Sequence, residues 1–160
     1  MIVSNTTPLS CLLKIGQAEL LRRLYDRLVI PEEVAAELDQ AGPVHQDWRE
    51  QLHFVQIIPT DVRDPVLTLL TAEIDPGEAA AIALARRIGS ELLIMDDQAG
   101  RRFAQRVGLT VTGTVGVVMA ATESGLINDP FSLLEDLRSR GGLWLSDGFL
   151  QKMHASWSGS

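Results

Sequence analysis

Acidic side chains follow a short, fully apolar run of this sequence. Asp96 and Asp97 come directly after residues 92–95, and Glu78 lies in the segment Asp-Pro-Gly-Glu before a run of alanines. Carboxylates held close together repel one another, and a divalent cation offsets that repulsion. An all-oxygen ligand set favours Mg²⁺ or Mn²⁺ over zinc. Such an ion activates water and stabilises charge on an attacked phosphate, so phosphodiester hydrolysis is the reaction that these residues suit best.

Polar residues also follow other apolar runs. Asn5 follows the run 2–4, and Thr112 and Thr114 follow the run 109–111. In an open parallel sheet, ligands bind outside the carboxyl ends of the strands. We therefore expect Asn5 and Asp96 to meet at one edge of such a sheet. Glu78 should join them, because it lies in the first turn of the helix that leads into the run 92–95. Asn5 could offer a carbonyl oxygen to the cation, but no negative charge.

Simpler interpretations of the same residues stay open on spacing alone. Asp75 and Glu78 fit a capping box at the start of a helix. Asp97 could cap the helix that begins at Gln98. Asn5 could only organise a turn.

Short apolar runs alternate with helical patterns along the chain, which predicts an α/β fold with a parallel sheet and helices on both faces. The run 92–95 is continuous and apolar, which predicts a central strand. The five predicted strands are 2–4, 27–30, 55–58, 92–95 and 109–111. Helical patterns cover 18–25, 32–38, 44–52, 65–72, 76–88, 98–107, 115–123 and 130–138, with a helix ended by Gly16 before them and a short helical segment after Asp147.

Length and composition predict one domain, residues 1–155, with a flexible tail at 156–160. The net charge of −7 argues against a broad basic surface for nucleic acid, although an enzyme could still meet nucleic acid through a metal. We see no signal peptide and no apolar run of the ~18 residues that span a membrane, so a cytoplasmic protein is expected. The single cysteine, Cys11, is predicted to be a buried apolar residue.

Four segments, in order and at similar spacing, resemble a PIN-domain protein, and the closest likeness is to a prokaryotic PIN-like nucleic-acid-binding branch. They are Ile-Val-Ser-Asn-Thr-Thr-Pro-Leu at 2–9, Asp-Pro-Gly-Glu-Ala-Ala-Ala-Ile-Ala-Leu-Ala at 75–85, Leu-Leu-Ile-Met-Asp-Asp-Gln-Ala-Gly-Arg-Arg at 92–102 and Gly-Leu-Thr-Val-Thr-Gly-Thr-Val-Gly-Val at 108–117. The resemblance runs from about residue 2 to 153. It implies a three-layer sandwich with a five-stranded parallel sheet, and Mg²⁺- or Mn²⁺-dependent cleavage of RNA.

The resemblance also implies roles for single residues. Asn5 matches the acidic position after the first strand, Glu78 the helical glutamate and Asp96 the aspartate after the fourth strand. Thr7 matches a hydroxyl residue that supports the first of these. A fourth acidic position, after the fifth strand, falls near Thr112 to Thr114 and is not acidic here. Thr7 and Thr114 are also predicted to contact the substrate. Asp97 ranks behind Asp96 as a ligand, because adjacent strand side chains point to opposite faces.

Other polar and aromatic residues have weaker patterns. Arg101 and Arg102 lie about one helical turn after the acidic pair, so one of them could bind a substrate phosphate, and a solvated face or a salt bridge is the alternative. The histidines at 45, 53 and 154 show no metal-binding spacing. The tryptophans at 48, 144 and 157 are expected to pack core edges or a subunit contact rather than to stack on bases.

The leading hypothesis is a metal-dependent ribonuclease acting on single-stranded RNA, as the toxin of a toxin–antitoxin pair. An antitoxin partner and a homodimer are expected by family likeness. The alternative is a catalytically weak PIN-like module that binds nucleic acid or protein. A phosphoacceptor receiver domain is disfavoured, because it needs a lysine after the fifth strand and none occurs at 109–151. No glycine-rich phosphate loop follows any predicted strand, so dinucleotide and P-loop nucleotide binding lack support.

Overall fold

The computed structural model describes residues 1–158 and contains one five-stranded parallel sheet with the order β3-β2-β1-β4-β5. The strands are β1 (Ile2–Ser4), β2 (Leu28–Pro31), β3 (Gln56–Ile58), β4 (Leu92–Ile94) and β5 (Val111–Thr112). The helices are α1 (Thr6–Lys14), α2 (Glu19–Leu24), α3 (Glu32–Asp39), α4 (Trp48–Gln51), α5 (Pro65–Thr71), α6 (Pro76–Ile88), α7 (Gln98–Arg106), α8 (Thr114–Glu123), α9 (Pro130–Ser139) and α10 (Asp147–Ser158), with a single 3₁₀ turn at Pro43–His45. The predicted α/β class and five-stranded parallel sheet are confirmed.

Helices cover both faces of the sheet, because alternate strand residues enter two separate cores. Ile2 and Ile94 belong to one core, together with apolar residues of α1, α2, α3, α8 and α9. Val3 and Leu93 belong to the other core, together with residues of α5, α6 and α7. This period of two is what a strand buried on both faces requires. The three-layer arrangement therefore agrees with the prediction.

The middle strand of the sheet is β1, and not β4, which was predicted to be central. β4 lies between β1 and β5, with Ser4 in register with Ile94 and Ile94 in register with Thr112. β4 is thus buried on both faces, as its composition predicts, without occupying the centre. A continuous apolar run indicates a strand that is buried on both faces. Every interior strand of a parallel sheet is buried in this way, so the run does not identify the middle one.

β5 begins two residues later than predicted. Gly108 has a φ of 86°, and the N–H of Leu109 donates to the carbonyl of Ala104, so Leu109 still belongs to the turn that ends α7. Thr112 therefore lies in the strand rather than beyond it. The sequence pattern alone could not separate an apolar turn residue from the first residue of a strand.

The C-terminal helix is longer than the short segment predicted after Asp147. α10 spans twelve residues and continues through Ser158, so residues 156–158 of the predicted tail are helical. The rest of that tail, residues 159–160, lies outside the described residues. Within residues 1–158, no helix is long and apolar enough to cross a membrane.

Candidate metal-binding site

Asn5 and Asp96 lie at neighbouring positions on the carboxyl edge of the sheet. Asn5 follows β1 directly, and Asp96 lies two residues beyond β4, the strand beside β1. The N–H of Asn5 donates to the carbonyl of Ile94 at 3.1 Å, which ties the two strand ends together. The predicted meeting of these residues at one sheet edge therefore follows from the strand order.

Asp96 is held in place by two hydrogen bonds from one residue. The N–H of Thr114 donates to Asp96 Oδ1 at 2.8 Å, and its hydroxyl donates to Asp96 Oδ2 at 2.6 Å. An ionised carboxylate has about four acceptor positions, so Asp96 keeps lone pairs for a further ligand. Thr114 is fully buried and its hydroxyl is already engaged. It therefore positions Asp96, a role that differs from the contact with substrate predicted from the sequence.

Glu78 reaches the same edge from the first turn of α6, which packs against β1 and β4. Asp75 caps this helix and accepts the N–H of Glu78 at 2.9 Å, which is one half of the predicted capping box. The pKa of Glu78 is raised to about 8, first by burial, then by Asp75, and further by the charges of Asp97 and Glu37. Glu78 therefore lies among several carboxylates.

Glu37 is a carboxylate of this site that the sequence reasoning missed. Thr6 donates its hydroxyl to Glu37 Oε2 at 2.7 Å. The carboxylate lies over Gly77, where a Cβ atom would be only 1.8 Å from Glu37 Oε1. Burial raises the pKa of Glu37, the Thr6 hydrogen bond lowers it, and the charge of Asp75 raises it. α3 thus brings a further acid to the sheet edge, between α1 and α6.

A usable signal for Glu37 was present in the sequence. β2 neighbours β1 and ends where α3 begins, so α3 starts at the same edge as Asn5 and Asp96. The strand-end residues predicted for the site follow the first, fourth and fifth strands only. The missing acid was sought near Thr114, whereas the structure places an additional one on α3.

Asn5 has a buried oxygen without a partner. The side chain is buried, and among residues 1–158 nothing donates a hydrogen bond to its Oδ1. An unsatisfied buried carbonyl is costly, and a bound cation or water would remove that cost. The interpretation of Asn5 as a turn residue only leaves this oxygen unexplained. Its position at the acidic edge agrees with a role as a neutral oxygen ligand.

Asp97 caps helix α7, which is one of the two roles predicted for it. Its side chain is exposed, and its Oδ2 accepts the N–H of Gly100 at 2.8 Å as the cap of α7. Its charge still reaches Glu78, where it contributes to the raised pKa. Asp97 is therefore a neighbour of the site whose carboxylate is already in use.

The donor atoms suit a hard divalent cation, although the side chains are not gathered around one point. Within the described chain, no three His, Cys, Asp or Glu side chains lie close enough together to hold an ion as they stand. The ligand candidates are nevertheless all oxygens, which favours Mg²⁺ or Mn²⁺. The unpartnered Oδ1 of Asn5 and the raised pKa of Glu78 both indicate a site that lacks positive charge. A cation would draw the carboxylates inward.

The remaining predicted residues lie at different distances from this edge. Thr7 is exposed, and Thr6, not Thr7, makes the hydrogen bond to the site. Arg101 is half-buried, and both its Nη1 atom and Asp96 Oδ1 lie over Gly113. They are 2.9 Å and 2.6 Å from the position that a Cβ atom on Gly113 would occupy. Arg102 is exposed and lines a depression of about 230 Å³ together with Asp96 and Arg101.

A parallel sheet with the order β3-β2-β1-β4-β5, helices on both faces and acidic residues at its carboxyl edge defines a PIN-like α/β protein. The chain belongs to DUF3368, described as a PIN domain, whose family model matches residues 1–158. PIN domains are generally nucleases that use divalent metals, and they often pair with antitoxins. A comparison with curated proteins found no match. The predicted resemblance to PIN domains is confirmed, and the prokaryotic nucleic-acid-binding branch stays a prediction.

Proposed function

We propose that this chain is a divalent-metal-dependent ribonuclease that hydrolyses phosphodiester bonds of single-stranded RNA. The observation that carries the proposal is the position of Glu78, Asp96 and Glu37 at the edge where Asn5 has a buried oxygen without a partner. Membership of the PIN-domain family supports it.

The side chains divide the work of such a site. Mg²⁺ or Mn²⁺ would be held by Asn5, Glu78 and Asp96. Glu37 is a further carboxylate nearby, and Asp97 is a weaker candidate ligand than Asp96. When bound, the ion would supply an activated water and stabilise charge on the attacked phosphate. With a pKa of about 8, Glu78 holds a proton at neutral pH and would have to lose it to serve as a ligand. Thr114 keeps Asp96 in a fixed orientation.

Cleavage of a labelled single-stranded RNA with Mn²⁺, with Mg²⁺ and with EDTA tests this function. We expect metal-dependent cleavage by the unaltered chain, and its loss in Asp96→Asn and Glu78→Gln, because each change removes a negative ligand. Glu123→Gln is the matched control, since Glu123 is exposed at the far end of α8. Equal cleavage by all four proteins, or no cleavage with either metal, would reject the proposal.

A narrower role, as the toxin of a toxin–antitoxin pair in the cytoplasm, is supported by family membership. An antitoxin would then cover the acidic edge, and a homodimer is expected on the same grounds. Induced expression in bacteria should arrest growth, whereas the Asp96→Asn variant should not. Equal growth of the two strains, at equal protein levels, would remove the toxin role and leave the nuclease proposal to its own test.

The alternative function is a PIN-like module that binds nucleic acid or protein with little turnover. The observation that favours it is Asn5 itself, because an amide stands where the family resemblance implies an acid. Asn5→Asp should strengthen Mn²⁺ binding in a calorimetric titration and weaken the metal-free fold, because it adds a buried charge near Glu78. Unchanged Mn²⁺ affinity would mean that Asn5 does not lie at the metal.

A further inference from the structure

Trp144 is the most exposed large apolar side chain among the described residues. It lies between α9 and α10 with 84% of its surface exposed. Within residues 1–158 it has no ring stacking, cation–π contact or hydrogen bond. Trp144 therefore does not pack a core edge within the chain, and the other expectation, a subunit contact, stays a prediction. A flat, exposed indole supplies a large apolar surface at small conformational cost, which is typical of binding sites.

Trp144 borders a cavity that reaches the carboxylate site. The cavity has a volume of about 680 Å³, and its lining includes Trp144, Phe149, Asp96 and Arg101. This volume lies within the roughly 300–1,000 Å³ of small-ligand pockets. Because Asp96 lines the cavity, a ligand bound there would lie directly beside the proposed cleavage site.

Arg101 supplies a positive charge to the lining of the same cavity. Its guanidinium lies over Gly113 and, among the described residues, has no carboxylate within the 4.0 Å of an ion pair. It is half-buried, so its charge is less screened than that of a fully exposed arginine. A guanidinium without a partner suits a phosphate, to which it can donate two parallel hydrogen bonds.

We propose that Trp144 and Arg101 form a nucleotide subsite of single-stranded RNA, in which a base stacks on the indole and the adjoining phosphate binds the guanidinium. The inference rests on the proposed nuclease function and names the residues that hold the substrate beside its metal site. A single strand is required, because the bases of a duplex are already stacked and paired. A peptide helix would instead need an elongated apolar groove.

Binding is measured without metal, so that the test does not depend on cleavage. The probe is a fluorescein-labelled single-stranded RNA of about 12 nucleotides, followed by anisotropy with the full chain in EDTA. Trp144→Ala should weaken binding by roughly tenfold or more, and Trp144→Phe should retain most of the affinity, because a ring face is kept. Arg101→Ala should weaken binding and reduce the salt dependence by about one phosphate contact.

Leu69→Ala and Arg63→Ala are the matched controls. Both residues are exposed and lie in or next to α5, away from β5 and its cavity. They should bind the RNA as the unaltered chain does. The proposal is overturned if the chain does not bind the RNA, if Trp144→Ala binds unchanged, if the controls lose as much affinity, or if duplex RNA binds equally well.

Failure of the subsite and failure of the nuclease function give different results. Metal-dependent cleavage with the same KM in Trp144→Ala would reject the subsite and keep the nuclease. Trp144-dependent RNA binding without cleavage under Mn²⁺ or Mg²⁺ would keep the subsite and reject the nuclease. A purified protein partner that binds through Trp144 while RNA does not would assign the cavity to a protein, and would overturn the proposal.

Discussion

Asp96 and Glu78 reach the carboxyl edge under different physical constraints. Asp96 is fixed by two hydrogen bonds from Thr114. Glu78 instead lies among carboxylates, and burial together with Asp75 raises its pKa to about 8. A hydrogen-bonded carboxylate is a preformed ligand, whereas a crowded one becomes a ligand only after it loses its proton. The pH dependence of metal binding should therefore come from Glu78.

The affinity for Mn²⁺ should rise as the pH rises from 6.5 to 8.5. A proton on Glu78 competes with the cation below its pKa of about 8, and this competition ends above that pH. Calorimetric titration at several pH values measures the effect, in buffers of different ionisation enthalpy that also count the proton released. Glu78→Gln should bind Mn²⁺ more weakly and with a flatter pH profile.

Glu123→Gln serves as the control for this titration, because Glu123 is exposed at the end of α8. It should keep both the affinity and the pH profile of the unaltered chain. A pH-independent affinity in the unaltered chain, or the same slope in Glu78→Gln, would show that Glu78 does not bind the metal.

At the scale of elements, close contact between α3 and α6 decides where Glu37 lies. Gly77, the second residue of α6, leaves the space that the Glu37 carboxylate occupies. Thr6, the first residue of α1, holds that carboxylate from the other side. Three helices thus set the position of one acid.

Gly77→Ala should displace the Glu37 carboxylate while leaving the fold intact. The new Cβ atom would take the place of Glu37 Oε1, and the end of a flexible side chain can move away. Thermal unfolding should change little, because alanine is the better helix former. Mn²⁺ affinity should fall by about tenfold or more, if Glu37 acts as a ligand or supports one.

Gly148→Ala is the matched control, since Gly148 is also the second residue of its helix, α10, and has nothing within 4 Å of an added Cβ atom. It should not change Mn²⁺ affinity. Equal affinity in Gly77→Ala and Gly148→Ala would mean that the metal does not depend on Glu37. A large loss of stability in Gly77→Ala would show that Glu37 cannot move away.

The sequence predicted what depends on local pattern and missed what depends on packing between distant helices. The bounds of β1 and α6 were predicted correctly, and these elements place Asn5 after a strand and Glu78 in the first turn of a helix, as expected. Glu37 was missed because its contact with Gly77 joins α3 to α6 across the helix layer. The sequence left Trp144 between a core edge and a subunit contact, because no local pattern indicates where a loop lies on the surface.

At the scale of the molecule, the interior consists mainly of two apolar cores on opposite faces of the sheet. His45 is one of the few buried polar residues among those described. Its Nε2 lies 2.7 Å from the hydroxyl of Ser10, and its Nδ1 is buried without a hydrogen-bond partner in residues 1–158. Burial, and then the charge of Lys14, lower the pKa of His45 below its ordinary 6.5. The folded chain therefore holds this imidazole neutral.

The free energy of unfolding should consequently contain a contribution from His45 that is lost as the pH falls. Below pH 6.5, His45 binds a proton in the unfolded chain but not in the folded chain. The free energy of unfolding therefore falls by up to about 1.4 kcal/mol per pH unit until the folded pKa is reached. Glu78 acts in the opposite direction between pH 4.5 and about 8, because its folded pKa is raised. The contribution of His45 is thus measured as a difference between variants.

Urea unfolding between pH 7 and 5 should show that His45→Gln loses less stability on acidification than the unaltered chain does. His45→Gln removes the titrating group, whatever it costs at pH 7, so the slope against pH is the quantity compared. His53→Gln is the control, because His53 is exposed and lies against Phe54 at the surface, and it should keep the slope of the unaltered chain. Parallel pH profiles for all three proteins would mean that His45 accepts a proton in the folded state as readily as in the unfolded chain. The packing of the 3₁₀ turn at Pro43–His45 against Ser10 would then have to open to water near neutral pH.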